Sequence, residues 1–206
     1  MVDKSMIMGD FMKVIAFNGS ARKGGNTSQL LQIVLDQLDK EKIETELVEL
    51  AGKRITGCIA CYKCFERKNL RCAVEDDVIY ECFEKMLKAD AILLGPPTYF
   101  ADVSAGMKAL IERCGMVSKA NGDTLKKKLG GSVVAVRRAG ASHVFNSLNN
   151  FFLIGQMIVV GSSYWNIGIG REVGEVMKDG EGVRTMEDLG RNIAWLLHRI
   201  HNEGVN

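Results

Sequence analysis

The 206-residue chain offers no run of roughly eighteen uncharged apolar residues, the length that a membrane-spanning helix needs. It is nearly neutral, with 27 Lys and Arg against 25 Asp and Glu, so neither nucleic acid nor a membrane is expected as its partner. Histidine is scarce: His143, His198 and His201 fall on predicted helix surfaces or ends, without a pattern suggesting a ligand or base. No GxxxxGK followed by Ser or Thr occurs, and no GxGxxG, which argues against a Walker loop and a dinucleotide fold. The stretch Met1–Asp10 carries Asp3, Lys4 and Asp10 and lacks the apolar core of a secretory signal. Internal repeats and low-complexity segments are missing too. What remains is an ordinary globular composition, 47% hydrophobic and 25% charged, sized for a single domain over 1–206. Free cysteines and ten methionines suit a reducing compartment, so a cytoplasmic location is expected.

Strand and helix signals alternate along the chain. Apolar runs at Lys13–Phe17, Ile43–Leu50, Ala91–Leu94, Ser132–Val136 and Ile158–Val160 read as buried strands. Between them lie helical stripes: Leu30, Leu31, Val34, Leu35 and Leu38; then Val78, Ile79, Cys82, Phe83, Met86 and Leu87 behind a cap at Asp76 or Asp77. Ser104 is expected to cap a third helix through Met107, Leu110, Ile111 and Cys114, and His143–Gly155 reads as a fourth. Thr185 is expected to cap the last, which carries Leu189, Ile193, Leu196 and Ile200. Ser163–Glu181 reads as irregular, and Lys126–Lys128 as a solvated helix end. This alternation predicts an α/β fold: a doubly wound, five-stranded parallel sheet in the flavodoxin-like order 2-1-3-4-5.

Four of the six cysteines crowd into Cys58-x2-Cys61-x2-Cys64-x7-Cys72, an insertion at 57–75 after strand two. Tight Cys-x2-Cys-x2-Cys spacing is the mark of a 4Fe–4S cluster, whose corners take successive thiolates from one curling loop. Structural zinc, which prefers two hooks separated by a longer arm, and unliganded thiols are the alternatives. Cys82 and Cys114 lie on apolar stripes and read as small buried hydrophobes. Around the cluster loop, Lys63, Arg67, Lys68 and Arg71 outnumber Glu66, which suits either a solvated loop or a dock for an acidic electron carrier.

In an open α/β sheet, ligands bind beyond the carboxyl ends of the strands, and three loops of unusual composition emerge there. Ser20–Ser28 places hydroxyls and small residues before a helix N-terminus, which suits a phosphate, with Arg22 adding charge; a simple capped turn is the alternative. Pro96–Ser104 offers prolines and the aromatics Tyr99 and Phe100, a flat apolar contact for a flavin ring or merely a packed strand end. Arg137–Ser142 allows close backbone approach, or forms a solvated basic turn.

Taken in order, GSARKGGNTSQLL, GCIACYKCFERKNLRCAVEDD, ADAILLGPPTYFADVSAGMKALIERC and VVAVRRAGASH resemble the iron–sulfur flavoprotein family of the flavodoxin-like NADPH-dependent FMN reductase superfamily. The likeness runs from about Met12 to the last helix. It implies one FMN and one 4Fe–4S cluster per subunit, in a homo-oligomer of dimers or tetramers. By matched motif it puts the FMN phosphate on Ser20, Arg22, Asn26, Thr27 and Ser28. Flavin-ring contacts would fall on Pro97, Thr98, Tyr99 and Phe100 and on Ala139 and Gly140, and cluster ligands on Cys58, Cys61, Cys64 and Cys72. No side-chain acid or base is then required, because the flavin carries the chemistry. The expected activity is electron transfer between cluster and FMN from a ferredoxin-like donor, to a quinone, dioxygen or peroxide. A cluster-free NAD(P)H-dependent FMN or quinone reductase and a non-catalytic redox or iron sensor are the rival expectations.

Overall fold

A computed structural model describes residues 12–203, so the reading of Met1–Asp10 lies outside the described residues. The strand β1 (Lys13–Asn18) is followed by α1 (Asn26–Lys40) and β2 (Glu44–Glu49). After the cysteine loop, which contains only the short α2 (Lys63–Arg67), come α3 (Ile79–Lys88) and β3 (Ala91–Gly95). A hairpin, β4 (Thr98–Tyr99) with β5 (Asp102–Val103), leads into α4 (Ala105–Ala120). The remaining elements are β6 (Leu129–Ser132), β7 (Val134–Val136), α5 (Ala141–Ile154), β8 (Ile158–Val159), β9 (Ile167–Ile169) and α6 (Gly180–Glu203). The main sheet is parallel with order β2-β1-β3-β6-β8, the flavodoxin-like order predicted from the alternation. No described helix is long and apolar enough to cross a membrane.

The central strands are apolar on both faces because both faces are covered. In β1, Ile15 and Phe17 enter a core with Phe83, Met86, Leu110 and Phe152 from α3, α4 and α5. The alternate residues Val14 and Ala16 enter a second core with Leu30, Leu31, Leu189 and Ile193 from α1 and α6. Cys82 and Cys114 are buried in the first core, as their place on apolar stripes predicts. Burial pushes the Cys82 thiol up to about 12 and Cys114 well above the ordinary thiol value, so neither offers a ready thiolate.

Several boundaries differ from the sequence reading. The predicted fourth strand, Ser132–Val136, divides: β6 joins the main sheet, while β7 pairs with β9, which lies inside the stretch read as irregular. The Gly130-Gly131 pair hid β6, since glycines read as a turn. A Cβ at Gly130 would lie 2.6 Å from the Phe152 ring, so that strand needs glycine to let α5 approach. Thr185 does not cap α6 but lies one turn inside it, buried, because the helix begins at Gly180. Ser104 holds the N-cap position of α4, yet its hydroxyl donates to Gly19 O (2.7 Å) instead of capping the helix. Lys126–Lys128 is no helix end: it follows a turn into β6, and Lys128 donates to the carbonyls of Leu87 and Ala89 at the end of α3.

Candidate functional site

At the carboxyl ends of β1, β3 and β7 a cleft of about 290 Å³ opens between three loops. Ser20, Arg22, Asn26 and Thr27 line one wall, and Pro97, Thr98 and Tyr99 another. Ala135, Val136 and Arg137 line the cleft at the end of β7, and Gly170, Arg171 and Val173 after β9 complete the lining. Gly25 ends the loop at the N-cap of α1, so first-turn N–H groups without helical acceptors face this end of the cleft. A network behind the loop gives it its shape. Buried Asn18 accepts from Ser20 N (3.0 Å) and donates to Glu49 Oε2 (2.9 Å). Ser28 donates to Glu49 Oε1 (3.3 Å), so its hydroxyl is engaged on the side away from the cleft. Asn26 accepts from Gly174 N (2.9 Å) and Arg22 Nη1 reaches Arg171 O (3.5 Å), which fastens the segment after β9 to the loop.

The hairpin supplies the second wall. Its two-residue turn, Phe100-Ala101, has both residues left-handed at φ 45° and 71°, a conformation that usually selects Asn-Gly. Two non-glycine residues there store strain beside the cleft. Phe100 projects fully into solvent outside the cleft, whereas the Tyr99 hydroxyl accepts from Ala21 N (3.4 Å). The Thr98 hydroxyl is buried without a hydrogen-bond partner among the described residues. A buried, unpartnered hydroxyl on a residue that lines a cleft edged by N–H groups and Arg22 fits a polar, phosphorylated ligand such as FMN. Gly140 does not line the cleft. It props the hairpin at φ 90°, and a side chain there would meet Thr98 Cγ2 at 3.2 Å. His143, exposed near the start of α5, lies 3.6 Å from Asp102 on the hairpin. The N–H of Val103, and then the His143 charge, hold the Asp102 carboxyl below its ordinary value.

The cysteine loop lies along α4, and two residues of that helix and its C-cap Asn121 hold it. Glu112 accepts from Cys58 N (3.3 Å), and Asn121 accepts from Leu70 N (3.2 Å). Between them Arg113, 1% exposed, donates through Nε to Cys72 Sγ (3.3 Å) and through Nη1 to Thr56 O (3.2 Å) and to Asp77. Nη2 donates to Val74 O, so one guanidinium fastens both ends of the loop. Asp77 also accepts from Ile79 N (3.2 Å), the contact that starts α3. Burial pushes the Asp77 carboxyl up, but the Arg113 guanidinium and the N–H of Ile79 outweigh it and hold it below the ordinary range. Cys58 and Cys61 are exposed, Cys64 is buried and Cys72 is intermediate. Burial pushes the Cys64 thiol up, opposed by the N–H groups of Phe65 and Cys64, while Cys72 and Cys58 are near enough to add to the rise. Among the described residues, no three His, Cys, Asp or Glu side chains converge as a metal-binding group. As a donor set the thiols suit a cluster in kind: soft ligands, N–H donors aimed at sulfur, and an adjacent cation. Sequence reasoning missed Arg113, whose only signal was a charged residue within an apolar helix stripe.

Comparison with known proteins gives the class, a flavin-dependent oxidoreductase, which the fold and cleft suit. Residues 12–172 match the NADPH-dependent FMN reductase family. An iron–sulfur flavoprotein of Methanocaldococcus jannaschii is 40% identical over 92% of this chain and 99% of its own length. One from Methanosarcina thermophila is 30% identical over 92% of this chain and 97% of its own. Among solved structures, RosB with a bound 8-demethyl-8-formylriboflavin-5'-phosphate superposes with a TM-score of 0.74 at 20% identity, over 93% of this chain and 81% of that one. The NAD(P)H:quinone oxidoreductase of Methanothermobacter marburgensis gives 0.65 at 14% identity, over 89% and 99%. At those identities the two structures speak to the fold alone. The chain belongs to the iron–sulfur flavoprotein family, within the NADPH-dependent FMN reductases.

Proposed function

We propose that the protein passes single electrons between a 4Fe–4S cluster held by Cys58, Cys61, Cys64 and Cys72 and an FMN held in the cleft. The observation that carries this reading is the double attachment of α4. Its N-terminal Ser104 bonds the phosphate loop at Gly19 O, and its middle holds the cysteine loop through Glu112 and Arg113. One rigid helix thus sets the separation of the two candidate sites, with Ser104 and Arg113 about 14 Å apart along its axis. When bound, the cluster supplies one-electron exchange and the flavin a two-electron store. The chain's own part is to hold and orient. Ser20, Arg22, Asn26 and Thr27 would bind the phosphate, with Ser28 a more distant member of that loop, and Thr98 would give its free hydroxyl to the flavin. Pro97 and Tyr99 would flank the ring, while Phe100, Ala139 and Gly140 would meet it only through the hairpin or a neighbouring subunit.

A ferredoxin-like donor suits the exposed cations Lys63, Arg67 and Lys68 beside the cysteines; Arg71 is partly engaged, lying 4.1 Å over the Tyr80 ring. Homo-oligomerisation is supported by large apolar side chains left in solvent, including Ile59, Tyr62, Phe100, Leu153, Ile154 and Trp165. The test is anaerobic rapid mixing with a reduced acidic ferredoxin. Flavin bleaching should follow, at a rate that falls as salt rises; salt-independent reduction removes the dock, and no reduction removes the donor. The family match favours a second reading, in which NADPH reduces FMN and the cysteines are structural. Bleaching by NADPH alone, in protein free of iron, would select it.

A further inference from the structure

The most unusual group outside the candidate flavin cleft is Arg113, the largest fully buried side chain among the described residues. We propose that Arg113 is a positioning residue for the cysteine-bound cluster, its Nε–H directed at the Cys72 sulfur and its charge balancing the thiolates from the protein side. The proposal rests on the cluster reading above. Arg113 reaches the sulfur at 3.3 Å while Thr56 O, Asp77 and Val74 O take the other edges of the fork, so the guanidinium plane cannot turn away from Cys72. A loop clamp alone does not call for a buried ion pair, since apolar residues of similar volume commonly serve as well or better. A cation aimed at sulfur has a separate use. Hydrogen bonds to the ligand sulfurs and nearby charge set the reduction potential of a cluster, and outer partners of a ligand hold its orientation.

Arg113→Lys keeps the charge and can still meet Asp77, but withdraws the fixed Nε–H from Cys72. Asp77→Asn keeps that N–H and leaves the cation less neutralised. Both variants would be purified anaerobically as the full chain, beside the wild type. Iron and sulfide content, the rate of iron release to a chelator and the cluster potential would be measured. Arg113→Lys should release iron on the order of tenfold faster. It should also lower the potential by about 59 mV, the one-electron equivalent of a tenfold shift. Asp77→Asn should raise the potential, whereas a merely structural clamp would move both variants in the same direction. Wild-type potential and release rate in Arg113→Lys overturn the proposal while leaving the cluster reading intact. Wild-type protein without iron or sulfide overturns both. If neither variant folds, double-resonance spectra of reduced wild-type protein carrying isotope-labelled arginine decide: a coupled guanidinium nitrogen supports the proposal, and its absence overturns it.

Discussion

The candidate flavin cleft and the cysteine loop are built in different ways. Around the cleft, regular elements run to its edge, and short turns join them, fixed by backbone contacts such as Gly19 N to Gly95 O (2.8 Å) and by side chains at the strand ends such as Asn18 and Ser104. The stretch between β2 and α3 has almost no regular structure, and its order comes from side chains of α4 and its C-cap. Such a segment depends on few contacts, so the loss of one opens it locally. A preformed cleft suits a ligand whose shape must be met, and a side-chain-held loop suits a metal cluster that itself completes the fold.

Changes in the loop should therefore leave the cleft intact. The largest effect is expected from serine at Cys58, Cys61, Cys64 or Cys72: iron should be largely lost while extracted FMN stays equal to wild type. Flavin lost in parallel would show the two regions to be one unit. Serine at Cys82 or Cys114 should instead keep iron and cost about 1–3 kcal/mol by burying a hydroxyl. Next comes Asp77→Ala, which breaks a buried pair and should cost about 3–5 kcal/mol, concentrated in the loop. Acid should mimic it. Asp77 titrates lower folded than unfolded, so its contribution is present above the unfolded value of about 3.9 and is lost as pH falls through the folded one. Hydrogen exchange on apoprotein at falling pH should expose Thr56–Val78 before the phosphate loop; simultaneous opening would erase the contrast.

On the cleft side effects should be smaller. Thr98→Val removes an unpartnered hydroxyl, so apoprotein melting should hold or rise while FMN binds about fivefold more weakly, on the order of 1 kcal/mol. Unchanged affinity in a flavin titration would remove Thr98 from the ligand's partners. Phe100→Gly relieves a left-handed residue and should stabilise the apoprotein by about 1 kcal/mol, read as a rise in thermal midpoint. A fall would show that the turn is not strained.

The same contrast decides what was legible in the sequence. Period and burial follow from local pattern, so the sheet order and both cores could be read from apolar stripes, and the loop before α1 from its small residues. Elements made by close approach or long-range pairing could not. Gly130-Gly131 conceals a strand, β9 exists because β7 runs beside it, and the lining at Gly170–Val173 is held by Asn26 from far along the chain. The four cysteines stand out in the sequence by their spacing, but the groups that hold their loop sit on or at the end of α4, where Arg113 resembles any charged residue in a helix.

The most direct test of the account is the cofactor content of anaerobically purified protein, taken with its visible spectrum. The expected result is FMN near one per chain and about four irons and four sulfides, the complement of one cubane, with broad cluster absorbance beneath the flavin bands. FMN alone, or FMN with zinc in place of iron, would contradict it.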